Sequence, residues 1–110
     1  MQLEKNDIDK YTKTLILYIL YKYGEQRSVN IKKIFYKYYD VNNDLKTKLE
    51  ANIIWFLERL KEEGLIKKKE LPYMGFMTSV VYLNPSKINN IESAFADLPQ
   101  RAAELIKVFS

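Results

Sequence analysis

The chain of 110 residues contains no cysteine and no histidine, and it has only three glycines and three prolines. Without cysteine it has no disulfide and no thiolate metal site. Without histidine it lacks the commonest general base and the commonest metal ligand. The three glycines, Gly24, Gly64 and Gly75, are too scattered to form a loop that cradles a phosphate. We therefore expect that the protein is not an enzyme and that it binds neither a metal ion nor a cofactor.

Long apolar runs are also lacking. The longest mostly apolar segment, residues 15–21, is far shorter than the ~20 residues that a membrane-spanning helix needs. The first ten residues, MQLEKNDIDK, are polar and do not resemble a signal peptide. The hydrophobic fraction of 47% and the length are typical of one globular domain. We expect a cytoplasmic protein that does not contact a membrane.

Apolar residues that recur every three or four positions predict three helices in the first half of the chain, and alternation then predicts a β-hairpin. The predicted elements are, in order, a helix capped by Asn6 or Asp7 and ended by Gly24, an extended link at 27–29, a helix at 31–39 capped by Asn30, a helix at 43–63, strands at 65–71 and 78–83, and one or two helices after Pro85.

The segment FLERLKEEGLIKKK, followed by VVYLNP, contains Leu57, Leu60, Gly64, Leu65 and Ile66 in a Leu-x-x-Leu-x-x-x-Gly-Leu-Ile pattern. This pattern and the element order resemble the winged helix-turn-helix DNA-binding superfamily, including its PadR-like and MarR-like regulators. The resemblance covers about residues 8–85. It implies an α+β winged-helix domain at 1–85, with a three-helix core and a two-stranded wing. A C-terminal helical extension at 86–110 would pack on the first helix.

The same resemblance implies a sequence-specific double-stranded DNA-binding protein that regulates transcription as a homodimer on a palindromic site. Short proteins of this type are common in viruses and plasmids of thermophilic archaea. The composition, rich in Lys, Ile, Tyr and Asn, suits an archaeal virus, which would place the protein in the host cytoplasm. The alternatives are a winged-helix adaptor that binds proteins and a replication or copy-control protein of a virus or plasmid.

In this fold the exposed face of the third helix enters the major groove. If Leu49, Ile53, Phe56 and Leu60 are buried, we expect Asn52 to pair with adenine and Lys48 with guanine or a phosphate. The third helix is net acidic, so most phosphate contacts are expected elsewhere. The candidate DNA-binding residues are Lys46, Thr47, Lys48 and Asn52 on this helix, Arg27, Ser28, Lys32 and Lys33 around the start of the second helix, and Lys67, Lys68 and Lys69 in the first strand.

Four features each allow more than one interpretation. The Lys67–Lys69 run suits phosphate contact or an edge strand protected from aggregation. The apolar hairpin tip, residues 72–77, suits insertion into a minor groove, contact with another subunit, or folding back on its own domain. Trp55 suits packing against the C-terminal helix or an interface. The apolar surplus of the first and last helices suits pairing across a two-fold axis or coverage within one chain.

Overall fold

Five α-helices and two small β-sheets make up the α+β fold in the computed structural model, which describes residues 1–110. The elements are β1 (Gln2–Leu3), α1 (Lys5–Tyr23), α2 (Ser28–Tyr38), β2 (Asp40–Val41), α3 (Asn43–Glu62), β3 (Ile66–Tyr73), β4 (Phe76–Leu83), α4 (Ile88–Ala96) and α5 (Gln100–Ile106), with 3₁₀ turns at Pro85–Lys87 and Lys107–Phe109. No helix has the length and apolar character needed to cross a membrane.

The beginning of α2 differs from the sequence prediction. Asn30 does not cap this helix, because its backbone N–H already donates to the Arg27 carbonyl from inside the first turn. The extended link is also displaced, since Ser28 and Val29 are helical. The reason lies in Gln26, whose N–H and C=O both bond to Val81 of β4, at 3.0 and 2.8 Å. This pairing keeps the backbone extended at Gln26, and α2 begins directly after Arg27.

The β3–β4 hairpin is longer than the sequence indicated. Its antiparallel register runs from Ile66 opposite Leu83 to Tyr73 opposite Phe76. A two-residue turn closes it, and both turn residues have positive φ, 48° at Met74 and 86° at Gly75, as the twist of a tight hairpin requires. The expected connection between the strands, residues 72–77, includes Pro72, yet β3 continues through this residue, because β3 is an edge strand, where proline is tolerated.

The C-terminal helices pack against the rest of the same chain. Phe109 is buried among the rings of Tyr38 and Tyr39, with centroids 5.0 and 5.9 Å away. The Tyr39 hydroxyl donates to the Leu105 carbonyl at 2.9 Å. Leu105 and Phe109 belong to the same hydrophobic core as the buried side of α1. The apolar surplus on which the expected dimer was based is therefore covered largely within one chain.

Candidate nucleic-acid interface

A groove separates the start of α2 from the middle of α3 and continues along the hairpin. Both of its halves are lined by Ser28, Ile54 and Leu57. We call this surface the groove face; it is formed by Ser28, Val29 and Lys32 of α2, Glu50, Ile53, Ile54, Leu57, Glu58 and Lys61 of α3, and Lys68, Ser79 and Val81 of the hairpin. It is the surface on which the second helix, the third helix and the hairpin meet.

Two of the predicted base-contacting residues lie elsewhere. The Lys48 amine is 2.7 Å from the Asp9 carboxylate of α1. The Asn52 side-chain amide donates to the Ile8 carbonyl at 3.3 Å. Both residues face α1, so the prediction that they occupy the outer face of α3 is wrong.

The physical reason is the position of both residues beside the buried stripe of α3. This stripe consists of Leu49, Ile53, Leu57 and Leu60, whereas Phe56 is only half-buried. At about 3.6 residues per turn, Lys48 and Asn52 lie at the edge of the stripe and not opposite to it, and α1 packs along this edge. The outer side then presents Ala51, Trp55 and Glu58, all of them exposed.

Glu50 lies in the groove but is held by neighbouring groups. The Lys32 amine is 3.3 Å from its carboxylate, and the Tyr36 hydroxyl donates to it at 2.7 Å. These two hydrogen bonds, that of Tyr36 first, lower the pKa of Glu50. Burial and the bond to Glu50 raise the pKa of Tyr36 to about 12. The Lys46 amine lies 5.6 Å from the Tyr36 ring centroid and forms no ion pair with Glu50.

The predicted lysines differ in whether an acidic side chain pairs with them. Lys33, Lys46, Lys67 and Lys68 are exposed and take part in none of the ion pairs of the chain. Lys69, by contrast, is bound by Glu25 at 2.8 Å, and this hydrogen bond raises its pKa. Strand alternation places Lys68 on the face of β3 opposite to Lys67 and Lys69, and this face borders the groove.

The remaining predicted residues are polar groups around the same surface. Arg27 lies over the ring of Tyr73 in the hairpin, with its guanidinium carbon 4.4 Å from the centroid. Ser28 begins α2, and no side chain caps this helix end, so its first N–H groups point away from the helix without such a partner. Thr47 is exposed in the early part of α3, beside Lys46. Of the predicted residues, the structure thus brings Ser28, Lys32 and Lys68 to the groove face. Lys48 and Asn52 face α1, and Lys67 and Lys69 lie on the other face of β3.

The hairpin tip and the outer side of α3 are apolar and exposed. Met74, Phe76 and Met77 are 82%, 59% and 58% exposed, so of the three interpretations of the tip, folding back on its own domain does not hold. Trp55 and Ile54 are 54% and 68% exposed. Trp55 contacts the Phe56 ring, at a centroid distance of 4.9 Å, and is not covered by the C-terminal helix.

Sequence reasoning did not single out Ile54, although a signal for it exists. In the run Asn52–Leu57 apolar side chains occupy the whole circumference of the helix, so a single buried face cannot cover all of them.

No protein-family model matches this sequence, and no curated protein or solved structure is significantly similar to it. Nor does the chain hold a group of three or more acidic side chains positioned to bind a metal ion. A function must therefore be argued from the groove face, the unpaired lysines and the hairpin.

Proposed function

We propose that this chain is a winged-helix protein that binds double-stranded DNA through the groove face and the hairpin. The element order supports this proposal, since α1, α2 and α3 are followed by a hairpin, and Gln26 forms an isolated β-bridge with Val81 of this hairpin. The observation that carries the proposal is the set of exposed lysines without acidic partners on α2, α3 and β3. They are Lys33 on α2, Lys46 on α3, and Lys67 and Lys68 on β3.

These lysines would contact phosphates and fix the orientation of the protein on the duplex. The uncapped start of α2 adds backbone N–H groups at Ser28, the kind of donor that phosphates accept. The early turns of α3, with Lys46 and Thr47, enter the major groove. Ala51 and Ile54 lie further along the exposed side, and apolar side chains of this kind recognise the methyl group of thymine. Sequence preference then comes from contacts of Ala51 and Ile54 with thymine methyl groups, and not from Lys48 and Asn52.

That the protein regulates transcription, and that it binds a palindromic site as a homodimer, remain predictions. Because Leu105 and Phe109 are buried within the chain, a dimer would need other side chains. Tyr21 and Tyr23 of α1 remain 42% and 38% exposed and are available for such a contact.

The proposal is tested by fluorescence anisotropy of labelled duplex DNA fragments titrated with the native chain. We expect binding that weakens with salt, and a loss of about tenfold or more in the variant Lys46→Glu/Lys68→Glu, which reverses two unpaired charges. The matched control is Lys10→Glu/Lys107→Glu, which reverses two exposed lysines on α1 and after α5. Absence of binding at low salt, or an equal loss in the control, would refute the proposal.

The second candidate is a protein-binding adaptor, and the exposure of Ile54 and Trp55 favours it. Large exposed apolar side chains that adjoin one another mark contact sites for other proteins. The variant Trp55→Ser separates the two functions. If the protein binds DNA and reads bases through Ala51 and Ile54, this substitution leaves the phosphate contacts intact. If the native chain does not bind DNA and forms a defined complex that Trp55→Ser abolishes, the adaptor is the correct function.

A further inference from the structure

The hairpin tip, residues 72–77, combines exposure with a complete lack of charge. No charged residue occurs between Glu70 and Lys87. Three of the side chains, Met74, Phe76 and Met77, are more than half exposed. Because the register continues to the two-residue turn, the tip is the end of a regular ribbon and has no loop that covers it.

The apolar side chains lie on both faces of the ribbon. Tyr73 and Phe76 are cross-strand partners on one face, and their rings meet edge to face at 6.0 Å. Strand alternation directs Met77 to the opposite face, and Met74 is at the apex. A ribbon that is apolar on one face would suit docking on a flat surface. One that is apolar on both faces and at its apex suits insertion between two apolar surfaces.

The charge below this tip is net positive. Lys67 and Lys68 lie further down β3 without acidic partners, and the Arg27 guanidinium lies over the ring of Tyr73. Glu70 is the one carboxylate on β3, so the order of groups along the ribbon is mainly cations first and apolar side chains at the end. Duplex DNA presents the complementary order, with phosphates at the groove edges and stacked bases within.

We propose that the hairpin tip inserts as an apolar wedge between base pairs from the minor groove and bends the duplex. This inference rests on the proposed DNA binding and adds a mechanical consequence to it. Apolar wedges of this kind unstack a base step and kink the duplex towards the major groove, by about 20–90°. Binding then favours sites whose centre contains a flexible pyrimidine–purine step, because such steps cost less to kink.

The inference is tested by energy transfer between dyes on the two ends of a short duplex that carries a central TA step. We expect saturating native protein to shorten the end-to-end distance. The variant Met74→Ser/Phe76→Ser still binds but leaves the duplex straight. Both positions are exposed, and Met74→Asn, which suits the positive φ of the turn, provides a second variant whose folding is favoured. The control Lys67→Gln lowers affinity yet gives the native bend at saturation.

The other possible outcomes decide whether the wedge, the DNA-binding proposal or both are wrong. Binding of the native chain without any change in energy transfer overturns the wedge and leaves the DNA-binding proposal intact. Equal bending by the native chain and the tip variants also overturns it. If the native chain binds no duplex, both proposals fail. Vesicles that contain phosphatidylserine serve as a second probe, and tip-dependent binding to these vesicles with straight DNA would assign the tip to a membrane surface and contradict the wedge.

Discussion

Lys48 of α3 forms an ion pair with Asp9 of α1, with its amine 2.7 Å from the carboxylate. One turn further along α3, Asn52 bonds to the backbone of α1 at Ile8. Two residues whose chemistry is typical of base recognition thus connect two helices of the core. This arrangement fixes the rotation of α3 and decides which of its side chains face outward.

The first prediction concerns these two residues. We expect Lys48→Ala/Asn52→Ala to retain the DNA affinity and sequence preference of the native chain, because neither side chain lies on the proposed binding surface. Lys46→Ala/Thr47→Ala, on the exposed early turns, loses affinity by about tenfold or more, because it removes a phosphate contact and a polar side chain from the part of α3 that enters the major groove. Anisotropy titrations at one salt concentration measure both. The reverse ranking would show that α3 binds DNA through the side facing α1.

The second prediction concerns Glu50, the carboxylate within the groove. Glu50→Gln removes a negative charge and releases Lys32 from its ion pair. We therefore expect tighter DNA binding at low salt and a plot of log affinity against log salt that is steeper by about one unit. The matched control is Glu92→Gln, because Glu92 likewise accepts a tyrosine hydroxyl, that of Tyr21 at 2.6 Å, but lies on α4. Equal effects of the two substitutions would argue against a specific role of the groove.

Much of the secondary structure is predictable from local sequence. Gly24 ends α1 with a φ of 79°, and Gly75 forms the hairpin turn, because both positions need a conformation that glycine adopts readily. The start of α2 was mispredicted because the controlling contact, Gln26 with Val81, joins residues far apart in the chain. Local capping preference alone favoured Asn30.

The binding surface was harder to predict than the elements. Helical spacing places Lys48 and Asn52 at the edge of the apolar stripe of α3, where a side chain can face either solvent or a neighbouring helix. Only the packing of α3 against α1 shows that Asp9 and the Ile8 carbonyl occupy this edge. A tertiary contact also decides that Lys69 is paired with an acidic side chain and Lys68 is not, because Glu25 lies close to Lys69 alone.

The third prediction concerns stability. The Arg101 guanidinium donates to both carboxylate oxygens of Asp7, at 2.9 and 2.8 Å, and joins α5 to the start of α1. The hydrogen bond from Arg101 holds the pKa of Asp7 below its ordinary value of 3.8. Because the folded-state pKa is the lower one, this stabilisation is present above pH 3.8 and is lost as the pH falls through the folded-state value.

We therefore expect Arg101→Met to lower the free energy of unfolding at neutral pH by about 1–2 kcal/mol, a moderate value because the guanidinium is partly exposed. The difference from the native chain should shrink below pH 3.8. Urea unfolding at neutral and acidic pH measures it, with Lys107→Met as a control that removes an exposed cation without an ion pair. A difference that does not change with pH would show that the pair with Asp7 contributes nothing and that Arg101 stabilises the fold by packing or by its hydrogen bond to the Gln2 carbonyl.

The most direct test of the central claim is the salt dependence of duplex DNA affinity for the native chain and for a variant with Lys33, Lys46, Lys67 and Lys68 all changed to Gln. If each of the four lysines neutralises one phosphate, the slope of log affinity against log salt includes a contribution of about −4 from them. We expect the native chain to show at least this slope and the variant to lose most of it. A native slope close to zero, or an unchanged slope in the variant, would contradict the proposed interface.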